Sequence, residues 1–223
     1  PGQSHWHEPT GGRRAGLGQF GRPKTPYDLF MESEGIPIFR DIGVSKVQNL
    51  PLAPWKRTGG RGTYIQLHGT EGKWGNYVIE VPGAGALNPE RHLYEKVVFA
   101  VEGRGSTEVW SGAAGSKKQT FEWQKGSLFA IPLNANHRFV NASNSPAILL
   151  CGTTAPNIMN LVDNPHFVFN CPYNFTERYA GTEDYFKPKD DLEPDPVTVL
   201  GLPDPGHLLA GVARDHRLQS PPR

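Results

Sequence analysis

Eight short runs of β-branched and aromatic residues, each closed off by Gly, Pro or Asn, constrain the fold of this chain more than any other feature. They cover residues 62–68, 75–81, 96–101, 106–110, 119–123, 127–131, 138–141 and 147–151. The breaks between them carry Gly69, Pro82-Gly83, Gly103-Arg104-Gly105, Gly112, Gly126, Pro132 and Asn144. Runs this short and this closely spaced, with no helical period between them, are the pattern of an all-β sandwich or barrel. A short helix is expected to begin within 158–162, and the aromatic segment 167–185 reads as an arm that packs over the body.

The two ends have a different character. Residues 1–26 contain six Gly and four Pro, and from Lys187 onward seven prolines leave room for little more than a helical turn near 207–213. Across the 223 residues, 26 Gly, 21 Pro and a hydrophobic fraction of 37% suit one compact core with poorly ordered extensions. The expected organisation is a flexible N-terminal arm over 1–35, a β-barrel over 36–165, an aromatic-rich packing arm over 166–186 and a Pro-rich tail or truncated linker over 187–223.

Several classes are disfavoured at this stage. The 23 basic and 22 acidic residues balance without a basic block, so neither a nucleic-acid nor a membrane partner is expected. No apolar run reaches the roughly 18 residues of a membrane span. Cys151 and Cys171 are too few for a disulfide framework or a four-cysteine zinc site and read as two buried thiols. With no signal-peptide core visible, the expected location is the cytoplasm.

The stretch Gly126-Ser-Leu-Phe-Ala-Ile-Pro132-Leu-Asn134-Ala-Asn136-His137-Arg-Phe-Val-Asn141 carries the chemistry. It reads as a strand ending at a proline, a tight turn, and a histidine opening the next strand. An imidazole there points into a barrel, where a ring nitrogen can bind a metal. The spacing resembles the second sequence motif of the cupin family, with Gly126, Pro132, His137 and Asn141 in place and Asn134 where the middle glycine belongs. Asn tolerates the left-handed backbone such a turn needs, which makes the replacement mild.

Residues 85–105 stand where the first cupin motif belongs, and the match there is partial. The motif's His-x-His pair becomes Glu90-x-His92, and its later Glu falls on Lys96 with Glu95 beside it. Glu95 and Lys96 cannot both face inward in a regular strand, because neighbouring side chains alternate between faces. With Glu95 inward, Glu90, His92, Glu95 and His137 make a two-histidine, two-carboxylate set suited to Fe, Mn, Ni or Zn. With Lys96 inward, a cation occupies the place of the metal and repels a divalent ion.

The resemblance covers roughly residues 63–151 and is similar to a bacterial subgroup of cupins, several of which are bicupins. It implies a jelly-roll double-stranded β-helix and, as the leading expectation, a metal-dependent enzyme of oxygenase type acting on a small organic substrate. A metal-free cupin using His92, Lys96 and Tyr94 in isomerase- or epimerase-type acid–base chemistry is the alternative, and a non-catalytic ligand-binding barrel the third. A homodimer, or a pseudo-dimer with a second cupin barrel, is the expected association. Two further features have simpler readings: His5-Trp6-His7-Glu8 as a coincidence in the arm, and the Gly-rich loops as turns and not phosphate cradles.

Overall fold

The structure, a computed structural model, describes residues 24–70, 72–112 and 117–187. The expected behaviour of 1–23 and of the tail from 188, including the triplet at His5 and the turn at 207–213, lies outside the described residues.

Strands β1 (Ile38–Asp41), β2 (Ala53–Trp55), β3 (Gly60–Leu67), β4 (Gly75–Val81), β5 (Gly85–Ala86) and β6 (Lys96–Glu102) come first along the chain. They are followed by β7 (Arg104–Trp110), β8 (Gln119–Gln124), β9 (Leu128–Ile131), β10 (Asn136–Asn141) and β11 (Ala147–Thr153). One seven-stranded sheet runs in the order β1-β3-β4-β11-β6-β9, with β2 also on β3, and a four-stranded sheet runs β5-β10-β7-β8. The chain passes between the sheets at β4–β5, β5–β6, β6–β7, β8–β9, β9–β10 and β10–β11. This crossing pattern is the jelly-roll double-stranded β-helix that the cupin resemblance implies. All eight predicted strands are present; the three missed, β1, β2 and β5, have two to four residues each, too few for a clear period-two signal.

Alternation decides what lies inside. Along β6, Lys96, Val98 and Ala100 are buried while Phe99 is exposed; along β10, His137, Phe139 and Asn141 are buried. Tyr64, Tyr77, Ile79, Trp123, Ile131 and Leu149 complete the core between the sheets, each large apolar side chain contributing about 1.5–3 kcal/mol by leaving water. Gly103 (φ +84°) turns the chain from β6 into β7, where a Cβ would run into Ala147.

One domain boundary needs correction. Residues Pro26–Ser33, assigned above to a flexible arm, form helix α1. Thr25 caps it in a reciprocal box with Asp28, and Pro26 opens it, so the local signal was present. Its Tyr27, Phe30 and Met31 are buried, and the Tyr27 amide donates to Asn160 at 2.9 Å. Asn160 belongs to α2 (Ala155–Val162), which contains the predicted short helix, and α3 (Pro165–Asn170) follows. Cys151 and Cys171 are both free and buried, as expected.

Candidate functional site

His137, the second residue of β10, has its side chain inside the barrel, fully buried. A lone antiparallel bridge brings Glu90 beside it: each amide donates to the other residue's carbonyl at 2.9 Å. Two residues on, His92 is buried as well, and its ring meets that of His137 edge to face with centroids 5.2 Å apart. Glu90, His92 and His137 thus offer three ligand-type atoms within 4.8 Å of one another. Tyr94 lies flat on His92, centroids 3.8 Å apart and planes 1° from parallel, so its ring fixes the imidazole by stacking.

The question of face between Glu95 and Lys96 has a clear answer. Lys96 is the first residue of β6 and, at 1% exposure, points into the core on the same side as Val98. Its ammonium is bonded to Oε1 of Glu90 and lies 3.0 Å from Nε2 of His137. Glu95, one residue earlier, points outward: its side chain is 64% exposed and faces Arg178 at 3.7 Å. Glu95 therefore does not join the other three predicted ligands, because the two-residue period of the strand sends it to the opposite face.

Backbone carbonyls set the histidine tautomers. Nδ1 of His92 is 2.8 Å from the carbonyl of Tyr94, and Nδ1 of His137 is 3.2 Å from that of Ala135. With Nδ1 as the donor in each, Nε2 is an acceptor, and Nε2 of His92 has no hydrogen-bond partner among the described residues. Burial, followed by the charge of Lys96, holds both imidazoles below their ordinary value, His92 far below it. Burial alone would raise the Glu90 carboxyl. The positive charges of Lys96 and Arg57 outweigh that effect and hold it well below the usual carboxylate range. The centre therefore contains one carboxylate and two neutral imidazoles around an ammonium.

Sequence reasoning missed Arg57. Its Nη1 donates to Oε2 of Glu90 and its Nε to Oε2 of Glu34, both at 2.7 Å, while its guanidinium stacks 4.7 Å from Phe169 and 4.9 Å from Trp55. The loop carrying Arg57 matches no motif, so nothing local marks it. The C-terminal segment closes the site from outside: the amide of Leu93 donates to Val168, and Asn134 donates to the carbonyls of Cys171 and Tyr173. A cleft of about 510 Å³ lined by Arg104, Ser106, Glu122 and Ser143 lies towards the opposite end of β7 and shares no residue with the centre.

A metal of the kind the resemblance implies has a suitable donor set here, two Nε2 lone pairs and a carboxylate. It does not fit beside Lys96, which already bonds two of those three donors and carries the charge an ion would bring.

No family model matches the chain, and no curated protein matches it. Among solved structures it is similar to an oxalate decarboxylase from Lactobacillus farciminis, at 21% identity over 49% of this chain and 32% of that one, with a TM-score of 0.41. It is also similar to an oxalate oxidase, at 16% identity over 51% and 60% of the two chains (TM-score 0.43). The cupin domain of Schizosaccharomyces pombe Cnp3 aligns at 14% identity over 49% and 66% (TM-score 0.38). The chain spans about a third of the length of the decarboxylase.

Proposed function

We propose that this barrel is a metal-independent acid–base centre that moves a proton on a small carbonyl-containing organic substrate, chemistry of the isomerase or epimerase type. The observation that carries the reading is the buried ammonium of Lys96 between Glu90 and His137. It is a hydrogen-bond donor held in a low-dielectric interior, the environment in which a fixed charge best stabilises a developing oxyanion. Nε2 of His92 is the matching acceptor: it is buried without a partner, and negative charge developing on the substrate offsets the Lys96 charge that, with burial, keeps the resting imidazole neutral.

In the proposed step the proton on the carbon next to the substrate carbonyl passes to Nε2 of His92. The electron pair of the broken C–H bond moves into the carbonyl, and the enolate oxygen accepts a hydrogen bond from Lys96. Return of the proton to the other face of the carbon, or to the adjacent position, gives the isomer. Tyr94 positions His92 by stacking, and Arg57 holds Glu90 against Lys96. Entry is past Arg57 and Glu90, whose side chains are 23% and 15% exposed while those of Lys96 and His137 are fully covered.

The test is solvent exchange. A panel of small 2-oxo acids and hydroxyketones is incubated with the protein in D2O, and loss of the α-proton signal is followed by NMR. At least one substrate exchanges with wild type and not with Lys96→Met or His92→Phe. Exchange that survives both substitutions overturns the assignment.

The metal-dependent oxygenase is the second reading, favoured by the three ligand-type groups within 4.8 Å. It requires the Lys96 ammonium to withdraw from Glu90 and His137. Oxygen consumption with an Fe- or Mn-loaded protein, lost in His137→Ala, is the result that selects it.

A further inference from the structure

We infer that Lys96 occupies, and so keeps closed, a latent divalent-metal site formed by Glu90, His92 and His137. The inference depends on where the Lys96 side chain lies and not on the reaction proposed above.

Three observations carry it. The donors already have the arrangement an ion needs: Nε2 of His137 is 3.3 Å from Oε1 of Glu90, close to the roughly 3.4 Å between two ligands that each sit about 2.1 Å from one tetrahedral ion. Both imidazoles have Nδ1 committed to a backbone carbonyl, which turns the Nε2 lone pairs inward, as in second-sphere support of metal-bound histidine. Finally, Nε2 of His92 is buried without a partner, an arrangement that the ammonium does not satisfy and an ion would. Lys96 Nζ meets two of the three donors, and an incoming divalent ion must displace a like charge from them.

Removing the ammonium should therefore create a metal site without adding a ligand. Tag-free wild type, Lys96→Met and Lys96→Leu are titrated with Zn²⁺ and with Mn²⁺ by calorimetry, and metal content is measured after desalting. Each is compared with the same protein carrying His137→Ala, which cancels ions bound elsewhere. Wild type is expected to hold no equivalent that His137→Ala removes. Each Lys96 variant gains one equivalent, bound at least ~100-fold more tightly than by wild type and lost with His137→Ala. Leu carries no donor atom, so a gain in both variants cannot come from the Met sulfur.

A His137-dependent equivalent in wild type overturns the inference, as does a folded Lys96 variant that binds no more than wild type. If neither variant folds by circular dichroism, the wild-type comparison decides: a His137-dependent equivalent overturns, and its absence supports. The readout is ion uptake, so failure here leaves the proton-exchange result standing, and failure of exchange leaves this one standing.

Discussion

The side-chain amide of Asn134 donates to the carbonyl oxygen of Tyr173 at 2.7 Å, and this bond ties the C-terminal arm to the turn that presents His137. The same amide group donates to Cys171, and its oxygen accepts from Arg91 at 3.3 Å. Asn134 has φ +55°, the left-handed conformation expected of a residue standing in for glycine. It does what glycine cannot, since glycine supplies the turn but no strap.

Asn134→Gly separates these two roles. Glycine keeps the backbone geometry and removes three side-chain bonds, so the loss comes from the strap, about 1–3 kcal/mol. Amide hydrogen exchange over 165–175 should rise at least tenfold while that of β6 is unchanged. An unaltered exchange pattern would show that the arm is held by its apolar contacts alone.

The charges of the centre are unequal in their dependence on one another. Glu90→Ala leaves the Lys96 ammonium buried without a carboxylate, a loss of about 3–5 kcal/mol in urea unfolding. Lys96→Met leaves Glu90 paired with Arg57 at 2.7 Å and partly exposed, so it should cost less. The reverse order of stabilities would mean that Lys96 has a partner other than Glu90 and His137.

Arg57 joins Glu34 and Glu90 to the aromatic surface of Phe169 and Trp55. Arg57→Lys keeps the charge and loses both the fork and the planar stack. It should fall within about 1 kcal/mol of Arg57→Met in thermal stability, with either change costing about 2 kcal/mol. A lysine that restores full stability would reduce the role of Arg57 to charge alone.

Short β-branched and aromatic runs closed by Gly, Pro and Asn made the jelly roll legible, whereas alternation of buried with less buried positions holds over six or more residues only in β6 and β10 among the predicted strands. The centre was legible as far as spacing reaches: Glu90, His92 and His137, picked out by their spacing, lie with ligand-type atoms within 4.8 Å of one another. The direction of Lys96 was not, because it depends on where β6 begins. A start one residue earlier in phase would have brought Glu95 inward. Arg57 was illegible for another reason, since it reaches Glu90 from 33 residues away through tertiary packing. Helix α1 had its cap in plain view at Thr25-Pro26, hidden by the Gly and Pro density around it.

The titration of the centre sets a direction for acid stability. Burial and Lys96 depress His92 and His137 below 6.5, so below that pH the unfolded chain binds protons that the folded chain refuses. A depressed group stabilises the fold above its unfolded pKa, and that stabilisation is lost as pH falls towards the folded value. The two histidines add their slopes in the same direction, so stability falls with pH from about 6.5 downward. Glu90 acts in the same direction lower down, since its contribution is present above 4.5 and disappears as acid protonates it. Urea unfolding at pH 5, 6, 7 and 8 should show wild type losing stability from pH 7 to 5. His92→Phe keeps an aromatic ring against Tyr94 and removes one titrating group, so its slope should be about half as steep. A wild-type stability that stays level over this range, or a slope that His92→Phe leaves unaltered, would mean that the two imidazoles accept protons inside the fold and that the centre is wetter than its burial implies.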